Sequence, residues 1–115
     1  MNIRAEQASD TTEIDALTQA AFLNAPHTSH TEHLIVGALR AANALTVSLV
    51  ATEAGRIVGH VAVSPVSISS GAVHWYGLGP VSVLPEKQGL GIGSRLITAA
   101  LAQLQTLSAH GCVVL

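Results

Sequence analysis

Charge is the scarcest commodity in this chain. Its 115 residues include five Lys and Arg and seven Asp and Glu. Charged residues are therefore 10% of the total, where a typical domain has about 25%. The formal net charge is −2 and the isoelectric point is near 6.3. That excludes the basic stripe by which nucleic-acid-binding domains are known. One cysteine, Cys112, excludes an internal disulfide framework and fits a reducing compartment. The N-terminus, Met1 to Glu6, carries charge where a signal peptide needs an apolar run. No apolar stretch reaches the roughly 18 residues of a membrane span. The expectation is one soluble, cytoplasmic domain over residues 1–115, with no nucleic-acid or membrane partner. Hydrophobic residues reach 49%, and mean hydropathy is +0.47. So few charges cannot keep the whole surface wet, so an apolar face covered by another chain or by a missing part of the domain is expected.

What is present concentrates between Val81 and Leu96. Val81-Ser82-Val83-Leu84-Pro85 reads as an apolar strand. Glu86-Lys87-Gln88-Gly89-Leu90-Gly91-Ile92-Gly93 reads as a glycine-rich turn, and Ser94-Arg95-Leu96 continues into a helix. That order makes an anion site, because free N–H groups at a helix start and the helix dipole hold phosphate. Three patterns compete. A Walker loop needs Gly-Lys-Ser/Thr, and Gly93-Ser94-Arg95 stands there instead. A dinucleotide fingerprint needs G-x-G-x-x-G and an acidic residue about 20 positions on. Here Gly89, Gly91 and Gly93 sit two apart, and no Asp or Glu follows Glu86. Both therefore fail at named positions. The third pattern, Gln/Arg-x-x-Gly-x-Gly/Ala, is met by Gln88 to Gly93 without a mismatch.

Along the rest of the chain, Asn2 to Arg4 reads as a short strand. Asp10-Thr11-Thr12-Glu13 reads as a capping box, with a helix to about Phe22 carrying Ile14, Leu17 and Ala21. Asn24-Ala25-Pro26 stops it. A second helix is expected over Thr31 to Ala42, with Leu34, Ile35, Ala38 and Leu39 as its apolar face. Leu45 to Glu53 and Arg56 to Ser64 form a hairpin about Ala54-Gly55. Its second strand places Ile57, Val61 and Val63 on one face, and His60 and Ser64 on the other. Pro65 ends or bends that strand. His74 to Val83 is a strand interrupted by Gly77, Gly79 and Pro80, which suggests a bulge or splay. A long helix over Gly91 to Ser108 carries Leu96, Ala100, Leu104 and Leu107. Cys112 to Leu115 starts a last strand.

With the loop at Gln88 to Gly93 and the strand before it, the chain resembles the GNAT N-acetyltransferase superfamily. Arg56 to Val66 resembles the family's third strand, and Trp75 to Pro80 leads into its fourth. His27-Thr28-Ser29-His30-Thr31-Glu32 resembles the YhbS-like group of predicted N-acetyltransferases. The resemblance implies an α/β (α+β) fold with a mixed, mostly antiparallel sheet in the order β-α-α-β-β-β-α-β. Relative to that family, a final helix and two strands are lacking after Leu115. An open strand edge there is a template for pairing. The expectation is a truncated chain that compensates as a homodimer.

The resemblance further implies transfer of acetyl from acetyl-CoA to a primary amine by direct attack. The alternative is a CoA-binding or assembling fragment without turnover. It places the pyrophosphate on the amides of Gln88, Gly89, Gly91, Ile92, Gly93 and Ser94, and the pantetheine along Val81 and Val83. A backbone N–H of the same strand would polarise the thioester carbonyl. Lys87 and Arg95 could add charge near the phosphates, or equally could be solvated side chains of the helix start. No catalytic side chain stands out, and His74, beside Tyr76, is a weak candidate base. Glu86 is expected to face water, and Cys112 to be an inert thiol. Trp75 is expected as a core or interface anchor. His27, His30 and His33 spread too widely over a helix for a ligand face, so no metal is expected.

Overall fold

The computed structural model describes residues 1–24, 30–67, 71 and 74–114. Five strands form one sheet in the order β1-β2-β3-β4-β5. They are β1 (Asn2–Ala5), β2 (Val47–Glu53), β3 (Arg56–Pro65), β4 (Trp75–Val83) and β5 (Gly111–Val114). Three helices interleave with them: α1 (Thr11–Phe22), α2 (Glu32–Ala41) and α3 (Ile92–Thr106). Every neighbouring pair is antiparallel except β4 and β5, which run parallel. The element order and the mostly antiparallel sheet are as the sequence led us to expect.

Alternation along β2 and β3 divides two cores. Val47, Leu49, Ala51, Val61 and Val63 meet Leu96, Ala100 and Leu104 of α3 on one face. Val50, Ile57 and Ala62 meet Ile14 and Leu17 of α1 and Val36 of α2 on the other. Ile57 thus lies opposite to the face expected for it. The reason is a bulge: Ala51 pairs with Gly59 but Thr52 pairs with Ile57, so Val58 is an extra residue. Beyond the bulge the side chains change faces, and Val58 joins the α3 core. His60 keeps the face opposite Val61, but that face is roofed by helices, and His60 is fully buried.

Two helix expectations also change. Asp10 does precede α1, but its carboxylate does not cap it. It accepts instead from Gln7 N at 2.7 Å and from Arg4 Nη1 at 2.7 Å. Glu13, the other half of the expected box, accepts from Ile57 N at 2.8 Å. An intact cation and a strand amide are stronger claimants on these carboxylates than the helix start. In α2 the buried apolar residue is Val36, while Leu34 and Ile35 are exposed. The sequence Glu32-His33-Leu34-Ile35-Val36-Gly37-Ala38-Leu39 has apolar groups around much of its circumference. Periodicity alone therefore could not choose the inward side.

This assignment is testable. Val36→Ala should cost about 1.5 to 2 kcal/mol, and Leu34→Gln less than about 0.5 kcal/mol. Urea unfolding of both variants checks it, and the reverse ranking would contradict the face assigned to α2.

Candidate functional site

The site begins with a strand edge. β5 pairs with β4 from Trp75 to Leu78. Beyond Leu78 the β4 ladder is irregular: Val63 pairs with Leu78 but Val61 pairs with Val81, so Gly79 and Pro80 form a bulge. From Gly79 to Val83, β4 pairs with β3 alone among the described residues. Its other edge offers backbone donors and acceptors. Beside it lies a groove of about 290 Å³ lined by Ala21 and Phe22 of α1, Val81 and Val83 of β4, and Gln88.

The groove leads to the start of α3. Pro85–Lys87 make one 3-10 turn, and Gln88 Nε2 donates to Val83 O at 3.1 Å. Gly89 and Gly91 both take positive φ, +80° and +84°, a region open to glycine at no steric cost. The first hydrogen bond of α3 runs from Arg95 N to Gly91 O at 3.1 Å. No side chain caps the helix. The amides of Ile92, Gly93 and Ser94 therefore have no partner within the helix and point from its positive end. The Ile92 side chain is buried in the core, so only its amide can serve a ligand. A Cβ at Gly93 would sit 3.8 Å from Val81 Cγ1 and Val83 Cγ2, so α3 lies directly over the strand. Val81, Val83 and Gln88 thus line the groove, Gly93 packs over the two valines, and Gly89, Gly91 and Ser94 are exposed at the adjoining helix start, where buried Ile92 offers only its backbone.

Among solved structures, a GNAT family acetyltransferase from Brucella melitensis, in complex with acetyl-CoA, is 54% identical and superposes with a TM-score of 0.95. The match covers 99% of this chain and 74% of that one. The YhbS N-acetyltransferase of Escherichia coli in complex with CoA gives 33% identity and a TM-score of 0.89, over 99% of this chain and 61% of that one. The curated sequence of the uncharacterized N-acetyltransferase YhbS from Escherichia coli K12 is 34% identical over 116 residues. This chain spans 66% of that relative's length. The profile of the acetyltransferase (GNAT) family matches residues 11–115. The chain belongs to the GNAT acetyltransferase family.

Other candidate residues fall outside this GNAT surface. Lys87 Nζ is 2.7 Å from Glu53 Oε1, turned onto the β2–β3 hairpin. Glu86 does meet solvent, and it also pairs with Arg56 at 2.7 Å. Arg95 lines a separate groove with Ile3, Ser94, Thr98, Ala99 and Ala102. His74 stands just before β4, seven residues from Val81, or about 23 Å along a strand. Its backbone is left-handed, φ +61°, its carbonyl accepts from His110 N, and its ring meets His110 edge-on. His74 is not among the residues lining the groove. Trp75 covers Gly111, where any Cβ would strike its ring. Cys112 is half-buried, and burial pushes its thiol up. His27 lies outside the described residues. Among the described residues, no group of three His, Cys, Asp or Glu could hold a metal ion.

Sequence reasoning missed a polar seam beneath α1 and α2. Glu6 accepts from Arg40 Nη2 at 2.9 Å and Nε at 3.0 Å, and from Ser48 Oγ at 2.5 Å. Ser48 Oγ lies 2.8 Å from His60 Nε2. The Ser48 proton goes to the carboxylate, so Nε2 must donate to Ser48 and Nδ1 is the acceptor. Nδ1 and the buried Ser82 Oγ have no partner among the described residues. Burial lowers the His60 pKa to about 4, outweighing the nearby Glu6 charge. At neutral pH the ring is therefore uncharged, and its 4.0 Å approach to Glu6 is not an ion pair. Burial raises the pKa of Glu6 itself, but the hydrogen bonds from Arg40 and Ser48 outweigh it and hold the carboxyl below its usual range.

This arrangement sets a pH dependence. The unfolded chain takes up a proton on His60 near pH 6.5, and the folded chain only near pH 4. Stability contributed by the neutral ring is fully present above pH 6.5 and falls as the pH drops toward 4. The urea midpoint should decline between pH 7 and pH 5, and His60→Gln should flatten that decline. An unchanged slope in the variant would show that another group carries it.

Proposed function

We propose that this chain binds acetyl-CoA and serves N-acetyl transfer to a primary amine. The observation that carries the reading is the continuity of the open β4 edge with the uncapped start of α3. One element can pair with an extended amide-bearing chain, and the other with phosphate, a few residues apart. The GNAT relatives holding acetyl-CoA and CoA support the same ligand for this chain.

Acetyl-CoA supplies a thioester whose carbonyl carbon is attacked by the neutral amine; the C–S bond breaks, CoA leaves as the thiolate, and the proton lost by the amine balances the one that the thiolate takes up from solvent. The amides of Gly89 and Gly91 to Ser94, with Gln88, would hold the pyrophosphate. The backbone of Val81 and Val83 would align the pantetheine, and an outward N–H of β4 would stabilise charge on the carbonyl oxygen. None of the described residues lining the groove is ionisable. Rate enhancement would therefore come mainly from alignment and the strand amide, with the proton passing to water or to the acceptor's own surroundings. His74 could act as base only for an acceptor reaching the far end of β4.

That no ionisable group occurs among the described residues of the groove also favours a second reading, a CoA-binding chain without turnover. We further propose a homodimer, because Val113 and Val114 stay exposed on β5 and charge is scarce over the surface. No helix among the described residues is long and apolar enough to cross a membrane. With a single cysteine, a cytoplasmic setting fits the chain.

Calorimetric titration with acetyl-CoA, with solution mass measured on the same sample, tests these readings together. Saturable binding that ATP and NAD do not displace is expected, from a particle of twice the chain mass. Absence of binding would overturn the ligand. Binding without acetylation of any amine in a mixed panel would favour the second reading.

A further inference from the structure

Four of the charged side chains in this charge-poor protein converge on the approach to the phosphate loop. The β2–β3 hairpin closes through Ala54 and Gly55, both at positive φ (+52° and +76°), the geometry of a tight I′ turn. Glu53 and Arg56 flank that turn as cross-strand partners. Each reaches to the 3-10 turn just before Gln88. Glu53 Oε1 meets Lys87 Nζ at 2.7 Å, and Arg56 Nη2 meets Glu86 Oε1 at 2.7 Å. The two pairs have alternating signs, so the four charges neutralise one another. The hydrogen bond from Lys87 holds Glu53 below its usual carboxylate range, so that pair stays ionised at neutral pH. Between the pairs and the strand, Leu84 N donates to Val58 O at 3.0 Å, at the β3 bulge. The segment entering the glycine loop is thus fixed by backbone on one side and by two ion pairs on the other.

We propose that Glu53, Arg56, Glu86 and Lys87 are positioning residues that clamp the phosphate loop to the hairpin and so preorganise it for coenzyme. The inference rests on the acetyl-CoA reading above. Its physical basis is entropy. Gly89 and Gly91 give the loop more freedom to lose on binding than any other residues would. Fixing its entry in the free protein removes part of that cost beforehand. Each pair is exposed enough to contribute little to global stability. A loop is a smaller object than a fold, however, and two weak ties suffice to bias it. Lys87 accordingly serves the phosphates through the loop's position and not as a direct contact.

The sign of one substitution separates this role from the alternatives. Glu53→Gln removes a negative charge close to an anion site and frees Lys87. If Glu53 is a bystander, or merely holds Lys87 away from the phosphates, CoA should bind equally well or more tightly. If the clamp preorganises the loop, CoA should bind roughly two- to fivefold more weakly. The full swap of both pairs, Glu53→Lys with Lys87→Glu and Arg56→Glu with Glu86→Arg, keeps the signs alternating and should recover most of the loss. Glu86→Gln breaks the second pair and should weaken binding in the same way.

The experiment is calorimetry with CoA on the unsubstituted chain and these three variants, at a temperature well below each measured melting point. Weaker binding by Glu53→Gln and Glu86→Gln, recovered by the swap, is the expected result. Equal or tighter binding by Glu53→Gln overturns the clamp and leaves the acetyl-CoA reading intact. A loss that the swap does not recover also overturns it, because pairing would not be the cause. No binding by the unsubstituted chain overturns both.

Discussion

Everything in the candidate site depends on how closely α3 approaches β3 and β4. A Cβ at Gly59 would come within 2.9 Å of Leu96 Cδ1 and 3.0 Å of Ile92 Cγ2. Glycine at that point lets the first turns of the helix settle onto the sheet. Gly93 lies equally close to Val81 and Val83, at ordinary van der Waals distance. Ile92, Leu96, Ala100 and Leu104 then pin the helix along the sheet. The free amides of the helix start are thereby placed beside the open edge of β4 rather than somewhere out in solvent. Packing, more than any individual polar group, builds the site.

The two faces of the sheet differ in kind. The α3 face is a large aliphatic core. The α1–α2 face holds a smaller apolar cluster crossed by Glu6, Ser48, His60 and Ser82. Buried polar groups add specificity of register but little net stability, and two of these atoms lack partners among the described residues. The larger aliphatic layer therefore lies under the phosphate loop, and the layer more sensitive to acid carries the wall of the groove at Ala21 and Phe22. Ion pairing is likewise concentrated where the chain must hold a register: Arg4 with Asp10 before α1, Arg40 with Glu6 under α2, and two pairs at the hairpin.

The loop was legible in the sequence because its signal is local. An apolar strand, glycines at fixed offsets and a helical stripe are contiguous, and each constrains the next. The interruption at Gly79 and Pro80 was legible for the same reason, since those residues disturb a ladder wherever they fall. What could not be read depended on partners far along the chain. The Val58 bulge reversed Ile57 because of how β2 pairs, and Arg4 drew the Asp10 carboxylate away from the helix it precedes. His60 looked like the polar face of a hairpin, yet α1 and α2 roof that face. For Lys87 the sequence left open a role near the phosphates or a solvated helix start, and its pairing with Glu53, 34 residues earlier, is a long-range contact that no local pattern contains.

The central claim is that strand edge and helix start act as one coenzyme surface. Backbone amide shifts of the labelled chain, followed during titration with CoA and separately with pantetheine, test it most directly. The account predicts that pantetheine perturbs Gly79 to Val83, and that CoA extends the perturbation to Gln88 through Ser94. CoA shifts confined to the groove beside Ile3, Arg95 and Thr98, with Gly89 to Gly93 unmoved, would contradict it.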